Sequence, residues 1–238
     1  MTLAGMTVVV LGGSSGIGLA TAKAAQKEGA QIILTGRSQP RLDAAKRELG
    51  NDARAVSLDV ADEAGTRALF AGIPRVDHVF ITAGAVSFGR GLNHETAELR
   101  PALDTRFWGA LYAAKYAAPR MDRGGSITFM SGTASQRPMP AASVAVASCG
   151  AVEAFARSLA IDLAPIRVNT IQPGLIDTPL IGELMGDRRE SMIAQEAARL
   201  PVRRVGTPED VADAVLFLMK NGYVTGITLP IDGGRLLV

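Results

Sequence analysis

The sequence predicts an α/β protein: a seven-stranded, mostly parallel sheet held between helix layers, in a single domain covering residues 1–238. Three observations predict it. Apolar, β-branched runs alternate with stretches rich in Ala, Leu and charged helix formers along most of the chain. The apolar runs are nearly continuous, as strands are when helices cover both faces of a sheet. A glycine-rich loop stands where the first run gives way to the first helical stretch. Right-handed crossovers then turn this order into a doubly wound, Rossmann-like arrangement.

Taken in order, TVVVL at 7–11 forms the first strand and 16–28 the first helix. QIILT at 31–35 leads to a helix over 39–49, with Ser38 placed to cap it. RAVSL at 54–58 precedes a helix over 63–71, and HVFIT at 78–82 precedes a long helix over 98–121. SITFMS at 126–131, a helix over 141–163 and RVNTIQ at 167–172 follow. The chain closes with a helix over 209–220 and a short strand at 227–230. No repeat, low-complexity tract or linker interrupts the series.

Composition narrows the function classes. A net charge of +2 lends no support to nucleic-acid or membrane-surface binding. Cys149 is the only cysteine, so an intramolecular disulfide is impossible and a reducing, cytoplasmic setting is expected. The N-terminus shows no charged leader before an apolar core, and the run 8–11 is far too short to cross a bilayer. His78 opens a strand without ligand partners nearby in sequence, so no metal site is expected.

Gly12, Gly16 and Gly18 mark the strand-to-helix turn. In such a loop one glycine permits the tight turn, one lets backbone approach a pyrophosphate, and one allows close helix–strand packing. The N–H groups at the helix start, around Ser14, Ser15 and Ile17, then face the phosphates. The spacing alone also suits a plain turn. Past the second strand, Arg37 lies 19 residues after Gly18, where an acidic residue would grip a ribose 2′-hydroxyl. A guanidinium there can hold a 2′-phosphate through charge-assisted hydrogen bonds, which favours NADP(H) over NAD(H). The plainer alternative is a solvated Arg37 before a helix capped by Ser38.

LGGSSGIG at 11–18, Leu58-Asp59-Val60, Ala83-Gly84, PGLIDT at 173–178 and TG…IDGG at 225–234 together resemble the short-chain dehydrogenase/reductase family over nearly the whole chain. Leu11 and Thr82 depart from the usual Thr and Asn of that family, which touches loop hydrogen bonds more than the fold. The resemblance implies that Asp59 and Val60 meet the adenine, Ala83 and Gly84 the ribose, and Ile176 and Thr178 the nicotinamide side, with Pro173 and Gly174 also binding the cofactor. It also implies a small-molecule ligand or substrate and a homodimer or homotetramer, built through the helices holding Trp108 and Ala151 and the Gly233-Gly234 end.

That family reduces carbonyls with an Asn, a Ser, a Tyr and a Lys four residues after the Tyr. The resemblance places the Tyr position at Ala145, the Lys position at Cys149, the Ser position at Gly132 and the Asn position at Arg106. No Tyr in the chain is followed by Lys at that spacing; Tyr112 and Lys115 come nearest, on the helix with Arg106. The sequence therefore predicts a cofactor binder without ordinary ketone/alcohol chemistry. Two alternatives stand beside it: an oxidoreductase for an activated or anionic acceptor, and a non-redox lyase or cyclase with the dinucleotide as a floor.

Several side chains carry paired expectations. Arg106, with Arg137 nearby, binds an anionic substrate or fills the vacated Lys volume, or else reaches solvent or pairs with Asp104 or Glu98. Cys149 is a chemical group or an inert filler with a raised pKa. Strand alternation should aim Ser131 away from the site, and His94 falls in a solvated loop. Residues 175–200, with Leu180, Ile181, Leu184 and Met185 on an apolar side, form a substrate lid or a packed flap.

Overall fold

The computed structural model describes residues 2–50, 52–84 and 91–238. Its seven strands are β1 (Thr7–Leu11), β2 (Gln31–Gly36), β3 (Arg54–Ser57), β4 (Val76–Ile81), β5 (Met121–Met130), β6 (Arg167–Pro173) and β7 (Thr228–Ile231). They form one sheet in the order β3-β2-β1-β4-β5-β6-β7. Every pairing is parallel, so the expected "mostly parallel" sheet is parallel throughout.

Alternation along β1 shows why helices cover both faces. Val8 and Val10 pack with Ala22 and Ala25 of α1 (Gly16–Lys27), Leu42 of α2 (Gln39–Leu49), and Val211 and Val215 of the helix at Pro208–Lys220. Val9 and Leu11 pack with Leu69 and Phe70 of α3 (Glu63–Ala71) and with alanines of the helix at Gly109–Ala117. Period-two side chains on a doubly covered strand dictate this split.

The expected single helix over 98–121 is corrected by the structure. It starts as α4 (Thr96–Leu99), restarts at Pro101 as α5 (Pro101–Leu103), and widens into a π-helical turn at Asp104–Trp108. It then continues as α6 (Gly109–Ala117) and ends in a 3₁₀ turn holding Pro119, after which β5 begins at Met121. The two prolines cannot donate the amides an uninterrupted helix needs. π-turns of this kind concentrate at functional sites.

Four helices complete the fold: α7 (Ser143–Asp162), α8 (Pro179–Met185), α9 (Arg189–Arg199) and α10 (Pro208–Lys220). By length and hydropathy α7 is able to cross a membrane. In the structure its Cys149, Val152 and Ala156 are buried instead against the sheet, and Glu153 is buried among them. The helix α10 opens with a capping box, Thr207 and Asp210 bonding each other's backbone amides.

Candidate functional site

All the strands point their carboxyl ends the same way, and the order reverses between β1 and β4. That switch point is where doubly wound sheets hold ligands. The glycine loop sits there, held by both neighbouring strands: Gly12 and Gly13 amides donate to Thr35 O, at 3.1 and 2.9 Å, and Thr82 and Ala83 amides donate to Leu11 O. Thr82 Oγ1 also donates to Gly12 O at 3.0 Å, so its hydroxyl ties the strand end to the loop. Gly12 has φ +95°, and a Cβ there would lie 2.5 Å from Thr82 Oγ1. A Cβ on Gly18 would lie 2.2 Å from Gly12 O. Neither position admits another residue without moving the loop.

These residues line a cleft of about 510 Å³. Gly12, Ser14, Ser15, Gly16, Ile17, Gly18, Arg37, Ser38, Asp59, Val60, Ala83, Gly84 and Thr178 all face it, so the structure gathers them as the sequence groups them. Ser15 caps α1 without a side-chain bond, and no acidic residue stands in the first turn of that helix. The helix N-terminus therefore offers its amides and its positive dipole end to an anion. At the far end, Arg37 is exposed and Ser38 caps α2 without a side-chain bond. Arg41, one helical turn on, lines the same cleft and pairs with Glu183 of α8. Nothing in the sequence singles out Arg41, although it follows Arg37 by only four residues, in the first turn of α2.

Pro173, Gly174 and Ile176 fall elsewhere. They line a second cavity of about 240 Å³, which shares Ile17, Thr82, Gly84, Met130, Thr178 and Leu180 with the cleft. Gly132, Ala145, Cys149, Arg106 and Arg137 line this smaller cavity too. No Tyr, Lys, His, Asp or Glu lines it among the described residues. Burial pushes the Cys149 thiol up, with nearby Arg106 opposing and Glu153 adding to the rise. Cys149 is thus a neutral apolar surface near pH 7.

The π-turn drives Arg106 inward, to 7% exposure. Its Nη1 donates to Met130 O at 3.2 Å and Ser131 O at 3.1 Å, while its Nε has no partner among the described residues. A Cβ on Gly84 would sit 3.1 Å from Nη2, so a glycine makes room for this guanidinium. The expected escape to solvent is ruled out by this burial. Pairing with Asp104 is ruled out as well, because Asp104 pairs with Arg100.

Ser131 is among the residues that line the smaller cavity. It lies beyond the last residue of β5, where strand alternation no longer applies, and its Oγ donates to Glu153 Oε1 at 2.7 Å. Ser135 Oγ at 2.7 Å and Gln172 Nε2 at 3.1 Å donate to the same oxygen, so a buried carboxylate holds the loop that floors the cavity. Tyr112 and Lys115 do not form a relocated pair. Tyr112 stacks on Trp108, and Lys115 and Tyr116 both bond Glu63. His94 sits in a turn before α4 and lines neither cavity. His78 bonds Ser126 within the sheet, at 2.8 Å.

A family model described as enoyl-(acyl carrier protein) reductase matches residues 12–235. A short-chain dehydrogenase/reductase of Malbranchea aurantiaca, MalC, is 33% identical over 255 residues, covering 99% of this chain and 96% of that protein. The chain belongs to the short-chain dehydrogenase/reductase family. The solved structure of MalC, described as a reductase/Diels-Alderase, superposes with a TM-score of 0.93 at 30% identity, covering 99% of this chain and 98% of MalC. A small-chain dehydrogenase solved in complex with NADPH superposes with a TM-score of 0.85 at 36% identity, covering 98% of this chain and all of that one. An NADP-dependent (R)-specific alcohol dehydrogenase of Lentilactobacillus kefiri is 32% identical over 247 residues, covering 98% of this chain and 97% of that enzyme.

Proposed function

We propose that the chain binds NADP(H) in the larger cleft and acts on an acceptor that is already activated, rather than interconverting ordinary ketones and alcohols. One observation carries this reading. The cavity beside the cleft holds a buried guanidinium but, among the described residues, no group that hands over a proton near neutral pH.

The cleft fits the cofactor. Gly12 and Gly18 leave a cradle that a Cβ would fill. Gly16, Ser14, Ser15 and Ile17 offer the start of α1 to a pyrophosphate, and Arg37, Ser38 and Arg41 offer cationic and hydroxyl contacts to a 2′-phosphate. Asp59 and Val60 would flank the adenine, Ala83 and Gly84 the ribose, and Pro173, Gly174, Ile176 and Thr178 the nicotinamide. When bound, NADP(H) supplies or takes up a hydride. The NADPH complex of a structural relative supports the same cofactor.

On this reading, Arg106, Gly132, Ala145 and Cys149 stand in for the family's Asn, Ser, Tyr and Lys, which accords with their gathering around the smaller cavity. A positioned general acid contributes about 10²–10⁴ in rate. One aimed donor at a developing oxyanion contributes roughly 3–4 kcal/mol. A simple ketone needs both, and among the described residues this cavity offers guanidinium donors such as Arg106 but no general acid. Reducing a quinone or a polarised alkene leaves a delocalised anion that Arg106 can stabilise and water can later protonate. An iminium needs no proton but would bring a second cation beside Arg106, so it suits the cavity less. The apolar walls, Val146, Leu175 and Ile181 among them, keep water from the reacting atoms. Residues 175–200, containing α8 and α9, serve as the lid over that cavity.

The test pairs an NADPH fluorescence titration with turnover on two panels, simple ketones and alcohols against quinones and polarised alkenes. Binding with turnover on the second panel alone is expected. Arg106→Met should then lower that turnover by about 10²–10³. Efficient reduction of a simple ketone would overturn the proposal. A second reading, a non-redox reaction over the dinucleotide, finds support in the description of MalC as a reductase/Diels-Alderase. It would show as substrate conversion with no change in nicotinamide absorbance.

A further inference from the structure

Three guanidinium groups line the smaller cavity: Arg106, Arg137 and Arg235. Only Arg235 is neutralised, by Glu196 of α9. Arg106 and Arg137 have no carboxylate within ion-pair distance among the described residues. Arg106 packs against Gly84, and its Nη1 is taken by two carbonyls. Arg137 is placed differently. It stands in the loop between β5 and α7 and lines the smaller cavity but not the cleft. Its Nη1 donates to Arg235 O at 2.6 Å, which pins the side chain against the C-terminal turn and leaves the rest of the fork without an acceptor among the described residues.

The surrounding wall is apolar: Met139, Ala142, Val146, Leu175 and Ile181. A half-buried cation among such groups lacks both the hydration of bulk water and a counter-charge, which makes an incoming anion favourable. A guanidinium fork matches one carboxylate with two parallel hydrogen bonds. A phosphate would set further charged oxygens against this largely apolar wall.

We propose that the smaller cavity recognises a small apolar carboxylate, its carboxylate gripped by Arg137 and its apolar body held between α7 and the 175–181 segment. The inference rests on the proposed function only in taking this cavity as the substrate's place.

The experiment uses calorimetry on the whole chain with two probes of one shape, 2-naphthoate and the neutral 2-naphthamide. The wild-type chain should bind 2-naphthoate at least about tenfold more tightly than the amide. Arg137→Met should erase that preference while leaving amide affinity unchanged, and Arg137→Lys, which keeps the charge but not the fork, should restore part of it. Equal affinity for both probes in the wild type, or binding of neither at millimolar concentration, would overturn the inference without recourse to any variant. A preference surviving in Arg137→Met would overturn the role of Arg137. A parallel NADPH titration keeps the two proposals apart: failure to bind NADPH removes the cofactor reading, whereas the naphthoate preference is measured on the cofactor-free chain.

Discussion

Glycine-to-alanine substitution should act with opposite sign at two helical positions of this chain. At Gly18, in the first turn of α1, an added Cβ falls 2.2 Å from Gly12 O, inside the 3.0 Å that real Cβ atoms respect. The obstacle is backbone at the floor of the cleft, not the end of a flexible side chain, so the loop itself must shift. Overpacking of this kind costs about 1–3 kcal/mol. The gain in helix propensity returns at most about 1 kcal/mol. Gly18→Ala should therefore destabilise the chain and weaken NADPH binding by at least about tenfold, because the loop it displaces is the proposed phosphate cradle. At Gly150, in the middle of α7, a Cβ meets nothing within 4 Å. There only propensity operates, and Gly150→Ala should stabilise the chain by about 0.5–1 kcal/mol. Urea unfolding with unchanged m-values, paired with the dinucleotide titration, reads both effects. Equal shifts in stability, or full NADPH affinity in Gly18→Ala, would refute the steric account.

Two other outcomes follow from charge. Arg37→Ala should weaken NADPH binding by about tenfold to a hundredfold and leave NADH binding nearly unchanged, since a hydrogen bond to a charged group is worth about 1.5–3 kcal/mol; an unchanged ratio of the two affinities would remove Arg37 from the 2′-phosphate site. His78 is held neutral by burial, with Arg167 reinforcing and Asp77 opposing, so that its pKa falls from the ordinary 6.5 to about 4. Because the unfolded chain takes up this proton first, stability from His78 is complete above pH 6.5 and is lost as the pH falls toward 4, by about 3 kcal/mol in all. Urea midpoints across that range should fall more steeply for the wild type than for His78→Leu/Ser126→Ala, and parallel curves would contradict the assignment.

The strands were legible because doubly covered strands are continuous apolar runs, and β1, α2 and α3 fall on the predicted boundaries. The cleft was legible because its residues sit at strand ends and loop starts, where glycines, Arg37 and Asp59 leave local signals. The smaller cavity was less so. Its surroundings depend on contacts between distant segments: Arg137 with the C-terminal turn, Arg235 with α9, and Glu153 of α7 with two serines of the β5–α7 loop and Gln172 of β6. The breaks at Pro101 and Pro119 were written in the sequence, yet the helical composition of 98–121 masked them. The π-turn between those prolines has no comparable residue signature, and so the burial of Arg106 had to come from coordinates.

That wide turn separates chemistry from architecture. On its far side Ala110, Ala113, Ala114 and Ala117 keep α6 against the sheet and α3, while Thr105 and Arg106 of the turn face the ligand space. Evolution or an engineer can exchange the side chain at this bulge and alter the electrostatics of the chamber while the alanine seam stays packed as before.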